Sequence, residues 1–306
     1  MDAHTNTASA TARLIAHSLV WLSRDERRGR FVPPRVAQLS YALVEGDEDT
    51  DWRYRLLHHA ETRPAIAFAE RLALPGIQLH WAVRKLFLEE AACDALTANA
   101  EQIVIIGAGL DTLALRLHKE FTSCRFIEID HPATQRAKLE SLNRIKATQE
   151  VAPAANLHFL SADLATQPLD EVLLESGFFR RNVKSLFVAE GVLMYLEMLD
   201  VKELFAAVRR LSGAGSRFAW TFMETLDEGG IAFRNSTSLI NRWLRGRGEK
   251  FKSSFARKEI EPFLHTHDFK LRETVCAETL RRRYLAPAGL EFLALAEGEC
   301  IVIAET

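Results

Sequence analysis

The chain has 306 residues, 48% of them hydrophobic, and a formal net charge of −2 at neutral pH. A chain of this length buries roughly three quarters of its unfolded surface, as one large domain or two small ones. Its near-neutral charge gives no global preference for nucleic acid or an anionic membrane. Cys93, Cys124, Cys276 and Cys300 stand far apart with no CxxC pair. That usage argues against a zinc site or a disulfide framework and suits a reducing cytosol. The longest early apolar run, Leu19 to Leu22, is too short to span a bilayer and has no basic segment ahead of it. A cytoplasmic protein with neither a membrane nor a nucleic-acid partner is therefore expected.

Ala10 to Leu22 carries Leu14, Ile15, Leu19 and Leu22 at three- and four-residue spacing, which predicts a helix. The charged stretch Arg24 to Arg30 reads as a solvated turn, and Pro33–Pro34 should end any helix nearby. From Val36 to Leu96 the pattern is mainly helical, broken at Pro64 and at Pro75–Gly76. Residues 1–95 are thus expected to form a helical cap that packs on a sheet or covers its ligand-binding edge. Within the cap, the adjacent cations Arg84 and Lys85 could meet an anionic ligand group, since an arginine fork suits a carboxylate. The plainer reading is a surface pair on an amphipathic helix.

The α/β core is expected over 96–306, with the whole chain forming one domain. It opens with Ile103-Val-Ile-Ile-Gly-Ala-Gly-Leu-Asp111. Four apolar, mostly β-branched residues predict a fully buried parallel strand. Gly107 and Gly109 then allow a tight turn and a close approach of ligand to backbone, and Thr112 to Lys119 resumes with helical spacing. A second strand, Arg125 to Asp130, ends in acid 23 residues beyond Gly107, where a carboxylate can accept both hydroxyls of a ribose. A helix from Gln135 to Ile145 and a short strand from Leu157 to Leu160 lead to Asp163, which is either a ligand contact at a strand end or a turn residue. Ser185 to Ala189 predicts a fourth buried strand, followed directly by Glu190 and Gly191. A helix over Asp200 to Leu211 and a strand over Arg217 to Phe222 come next. A lid-like excursion near 229–255 includes the basic stretch Arg242 to Lys252. Glu259 to His267 (helix), Phe269 to Val275 and Cys300 to Ala304 (strands) close the chain. This alternation predicts a Rossmann-like, doubly wound α/β fold with a mostly parallel sheet.

The ligand can be narrowed from the charges. A dinucleotide site wants a third small residue where Thr112 stands, and Asp111 would meet the pyrophosphate. Asp111, Asp130, Asp163 and Glu190 at successive strand ends instead suit a phosphate-free adenosine derivative with cationic groups. S-adenosylmethionine, with its ammonium and sulfonium, is such a ligand. A nicotinamide-dependent oxidoreductase is the weaker reading, and a cofactor-binding regulator without catalysis keeps the ligand but not the reaction. His265-Thr-His267-Asp268, the one His/Asp cluster, falls on a helix end and reads as structural.

Ile103 to Leu117, Glu128-Ile-Asp130-His-Pro132, Asp163-Leu164 and Ala189-Glu-Gly-Val-Leu-Met-Tyr-Leu196 occur in order, and together they resemble the leucine carboxyl methyltransferase family. That family includes bacterial relatives linked to polyketide methyl esterification. The resemblance runs from about Arg84 to Phe222; an Asp-Pro-Tyr-like segment common near the N-terminus of bacterial members is present only as Pro33-Pro34-Arg35. It implies that Arg84 pairs with the carboxylate of S-adenosylmethionine, that Gly107 lies under the cofactor, and that Asp130 holds its ribose. It further implies that Asp163 and Leu164 face the adenine, that Glu190 sits near the ammonium group, and that Tyr195 faces the acceptor. The expected activity is metal-independent O-methyl transfer to a carboxylate or hydroxyl of a small molecule, with a protein C-terminal carboxylate as the alternative acceptor. A carboxylate is ionised near neutral pH and needs no general base.

Overall fold

A computed structural model describes residues 8–45, 56, 59–149, 154–227, 229–237 and 251–306. Among the described residues, four α-helices precede the first strand: α1 (Ala10–Ser23), α2 (Pro34–Val44), α3 (Arg63–Ala73) and α4 (Ile77–Thr97). The core then runs β1 (Gln102–Ile106), α5 (Leu113–Leu117), β2 (Arg125–Asp130), α6 (Pro132–Gln149), β3 (Leu157–Ser161), α7 (Leu169–Glu175) and β4 (Ser185–Ala189). It continues through α8 (Met198–Leu211), β5 (Arg217–Met223), α9 (Arg257–Thr266), β6 (Lys270–Val275), α10 (Ala277–Leu280) and β7 (Glu299–Glu305).

The strands form one seven-stranded sheet in the order β3-β2-β1-β4-β5-β7-β6, and β7 alone runs antiparallel to its neighbours. β1 and β4 are buried on both faces, which explains their unbroken apolar sequences. Ile103, Ile105, Leu186 and Val188 face the layer that holds α1 and α4, while Val104, Ile106, Phe187 and Ala189 face α8 and α9. On that second face Phe205 meets Trp220 edge-on at 5.2 Å and Phe263 at 4.9 Å. Strand order reverses between β1 and β4, so the crevice beyond their carboxyl ends is where such a sheet holds ligands. No helix among the described residues is long and apolar enough to cross a membrane.

Several expectations need correction. Pro34 does not end a helix; it stands at the first position of α2, where its missing N–H costs nothing. The helix after the glycine turn is only five residues long, and α7 has no counterpart in the predicted elements. Cys276 and Cys300 are joined in a disulfide although 24 residues separate them. Antiparallel pairing of β6 with β7 sets Val275 opposite Ile301 and so brings the next residues of each strand together. With Glu224 they form a group whose ligand atoms lie within 4.8 Å, so spacing along the chain was no guide to their distance. Of the excursion near 229–255, residues 238–250, including most of the basic stretch, lie outside the described residues. His267 packs its ring against Phe205 and Phe263 and bonds the Phe263 carbonyl through Nδ1 at 2.8 Å, a structural role.

Candidate active site

A cavity of about 630 Å³ opens at the carboxyl ends of β1 to β4, and all nine residues singled out in the sequence line it. They are Arg84, Gly107, Gly109, Asp111, Asp130, Asp163, Leu164, Glu190 and Tyr195. α1 and α4 form the opposite wall, through Leu14, Ile15, Leu19, Ile77 and Trp81 among others.

The glycine turn is clipped to β2: the Gly107 and Ala108 N–H groups both donate to the Ile129 carbonyl, at 2.8 and 3.1 Å. Gly107 has φ +65°, and a Cβ there would come within 2.4 Å of Val192 Cγ2. Asp130 accepts from the Gly109 N–H on one oxygen and from the His131 N–H, at 2.6 Å, on the other. Each oxygen retains a lone pair for a hydroxyl donor. Burial pushes the Asp130 carboxyl up, against the pull of those two N–H groups. Asp163 accepts the Ala165 N–H at 3.0 Å, so the turn reading holds for it while it also borders the cavity. Leu164 beside it packs on the core. Glu190 follows β4, and Gly191, at φ +65°, has open space where a side chain would start, Arg84 Nη2 being its nearest neighbour at 3.9 Å.

The two cations of α4 are not a surface pair. Arg84 is 3% exposed, and its guanidinium donates to Glu190 Oε1 through Nε at 2.8 Å and to both Glu299 oxygens through Nη1 at 2.7 Å. Nη2 also pairs with Glu190 Oε1, at 2.8 Å. Lys85 bridges Asp111 and Glu190 Oε2, the latter at 3.0 Å. Burial raises the Asp111 carboxyl, but the Lys85 ammonium outweighs it and holds the group well below the usual carboxylate range. Asp111 also accepts the Leu113 N–H at 2.5 Å, opening α5. These cations therefore meet anionic groups of the protein itself, and Asp111 already has its counter-ion.

Sequence reading missed Glu299 and His80. Glu299, the first residue of β7, accepts from Arg84 and lies 3.1 Å from His80 Nε2. Burial opposes its ionisation, but Arg84 and His80 bring its carboxyl down to about 2. No local signal marks it, since it lies 215 residues from Arg84 and inside an apolar strand. Under the turn, Lys138 of α6 donates to the Asp111 carbonyl at 2.6 Å and to Glu128 of β2 at 2.5 Å. Tyr195 ends a 3-10 turn and meets Phe251 in a tilted contact at 5.6 Å, and Phe251 in turn lies 6.1 Å from Phe233, so the cavity has an aromatic mouth.

This arrangement can be compared with known proteins. The sequence profile described as leucine carboxyl methyltransferase matches residues 10–209. The chain belongs to that family. Two relatives are provisionally named as S-adenosyl-L-methionine-dependent methyltransferases. The protein from Parafrankia sp. strain EAN1pec is 35% identical over 138 residues, covering 45% of this chain and 42% of the relative. YktD of Bacillus subtilis strain 168 is 28% identical over 190 residues, covering 62% of this chain and 60% of the relative. The chain thus spans about half the length of these relatives. A crystal structure from Thermobifida fusca YX, provisionally described as a methyltransferase, superposes with a TM-score of 0.55 at 17% identity, over 88% of this chain and 93% of that one. It shares the fold. The family profile ends short of Glu299 and of the whole β6–β7 edge.

Proposed function

We propose that the protein transfers the methyl group of S-adenosylmethionine to an oxygen of an apolar small molecule, a carboxylate rather than a phenol. One observation carries the reading. A single cavity at the switch point is bordered by Asp111, Asp130, Asp163, Glu190 and Glu299, while Arg84, Lys85 and Arg116 on its wall are each already paired with a carboxylate. Such a wall repels a diphosphate and accepts a cationic, phosphate-free nucleoside. The residues fit the donor: Asp130 would take the ribose hydroxyls, Asp163 and Leu164 the adenine, and Glu190 the ammonium. Arg84 keeps one Nη2 hydrogen for the donor's carboxylate, so it can serve that group through a single bond and not as a fork.

When bound, the donor supplies an electrophilic methyl on a sulfonium. The chain's contribution is then to align the acceptor oxygen and exclude water, because in-line displacement gains most from positioning. Tyr195, Phe251 and Phe233 would hold the acceptor by its apolar or aromatic body, with Tyr195 supplying the one hydroxyl among them. His131, the cavity's one histidine among the described residues, uses Nδ1 to accept the Ala133 N–H at 3.3 Å at the start of α6. It is occupied as a cap, and an acceptor that is already ionised fits a site without a poised base.

The test is calorimetric titration of wild-type and Asp130→Ala protein with S-adenosylmethionine, then labelled methyl transfer to matched panels of carboxylic acids and phenols. Loss of the ribose bonds should weaken binding about tenfold or more, and the acids should be esterified. Wild-type protein without affinity for the donor would remove the proposal; transfer to phenols alone would remove its carboxylate half.

A further inference from the structure

Arg84 is held by carboxylates from two sides, Glu190 and Glu299. Arg84 and Lys85 face Asp111, Glu190 and Glu299, two cations against three carboxylates, all linked by ion pairs into one cluster. His80, 1% exposed, contacts Glu299 through Nε2 and has no partner for Nδ1. Asp130 is stabilised separately, by backbone N–H groups. Glu299 is 1% exposed, and the cluster it belongs to borders the cavity.

We propose that Glu299 is a positioning residue for cofactor binding: it clamps Arg84, so that Arg84 in turn aims Glu190 into the cavity toward the amino-acid end of the methyl donor. This rests on the methyl-donor reading. The geometry is asymmetric in the way the role requires. Glu299 takes Nη1 with both its oxygens, and Glu190 takes Nε and Nη2, so the guanidinium is held from two sides and cannot swing. Glu299 is itself fixed by strand pairing opposite Met223 of β5. The residue comes from β7, so the far end of the chain completes a pocket otherwise built by residues 9–252.

Two probes separate this role from a structural one. S-adenosylhomocysteine carries the ammonium, and 5′-methylthioadenosine has the same nucleoside without the amino-acid end. Both are titrated calorimetrically into wild type, Glu299→Gln and Glu299→Asp, with thermal unfolding measured alongside. Glu299→Gln removes the charge and should weaken S-adenosylhomocysteine about tenfold or more while changing 5′-methylthioadenosine by less than about twofold. Glu299→Asp restores the charge and should recover part of the loss. Equal weakening of both ligands, or of neither, overturns the inference alone. Wild-type protein that binds neither probe overturns the methyl-donor reading, and this inference with it.

Discussion

Gly107 and Gly177 share a backbone conformation and differ in what surrounds them. Their φ angles are +65° and +70°, a region where any L side chain is strained. A Cβ at Gly177 meets nothing within 4 Å, whereas at Gly107 it would press on Val192 Cγ2 at 2.4 Å. Val192 follows the Glu190–Gly191 pair, so the pressure falls on the loop that presents the carboxylate. Gly177→Ala should lose about 1 kcal/mol of stability, the left-handed strain alone. Gly107→Ala should lose about 1–3 kcal/mol more from overpacking and should weaken donor binding. Denaturant unfolding of the two variants side by side checks this, and equal losses would refute the role given to Val192. The site residues that could be read from sequence are those whose chemistry follows from strand ends: glycine after β1, acid after β2, β3 and β4. What could not be read is how they pair. Arg84 and Asp111 looked available to a ligand because their counter-ions, Glu299 and Lys85, are neighbours only in space.

The link among β2, α6 and the glycine turn is a buried ion pair, Lys138 with Glu128, in which neither side chain has any exposed surface. Burial, with the nearby Asp111 and Asp130 carboxylates, pushes Glu128 up to about 7 against the pull of Lys138. A folded-state value above the unfolded one means that the native protein holds the proton more tightly. The stabilisation is full below the ordinary value of 4.5 and is lost as pH rises through about 7. Between pH 5 and 8 wild type should therefore lose stability relative to Glu128→Gln, by on the order of 3 kcal/mol. Unfolding free energies at both pH values decide the matter, and parallel profiles for the two proteins would refute it. The strand β4 was legible to the residue because a buried parallel strand is a nearly unbroken apolar run, and β2 because Phe126, Ile127 and Ile129 stand between the charged ends Arg125 and Asp130. α7 was missed because its seven residues are too few to show a period. The Cys276–Cys300 bridge was missed because register between β6 and β7 is a property of the pair and of neither strand alone.

α1 shows how the parts combine. It is distant in sequence from every strand tip, yet Thr11, Ala12, Leu14, Ile15 and Leu19 line the same cavity as Asp130 and Glu190. The Ser9 N–H donates to Thr134 Oγ1 at 3.1 Å, so the start of α1 is fastened to α6 directly beyond β2. The sheet supplies the charged floor and the N-terminal helices supply an apolar roof, a division that the helical spacing of Leu14, Ile15 and Leu19 announced without saying what the roof would cover. A ligand between them should tie the two layers together, and binding to the folded state alone raises the cost of every opening that releases it. Hydrogen exchange with and without S-adenosylhomocysteine should therefore show slower exchange both in the turn over 107–111 and in α1. The β6–β7 edge should split: the amides near Glu299 slow down, and those near Lys270, at the opposite end of the edge, stay unchanged. Protection confined to the turn would mean that α1 is not part of the binding site, and the apolar acceptor wall assigned to it would fall.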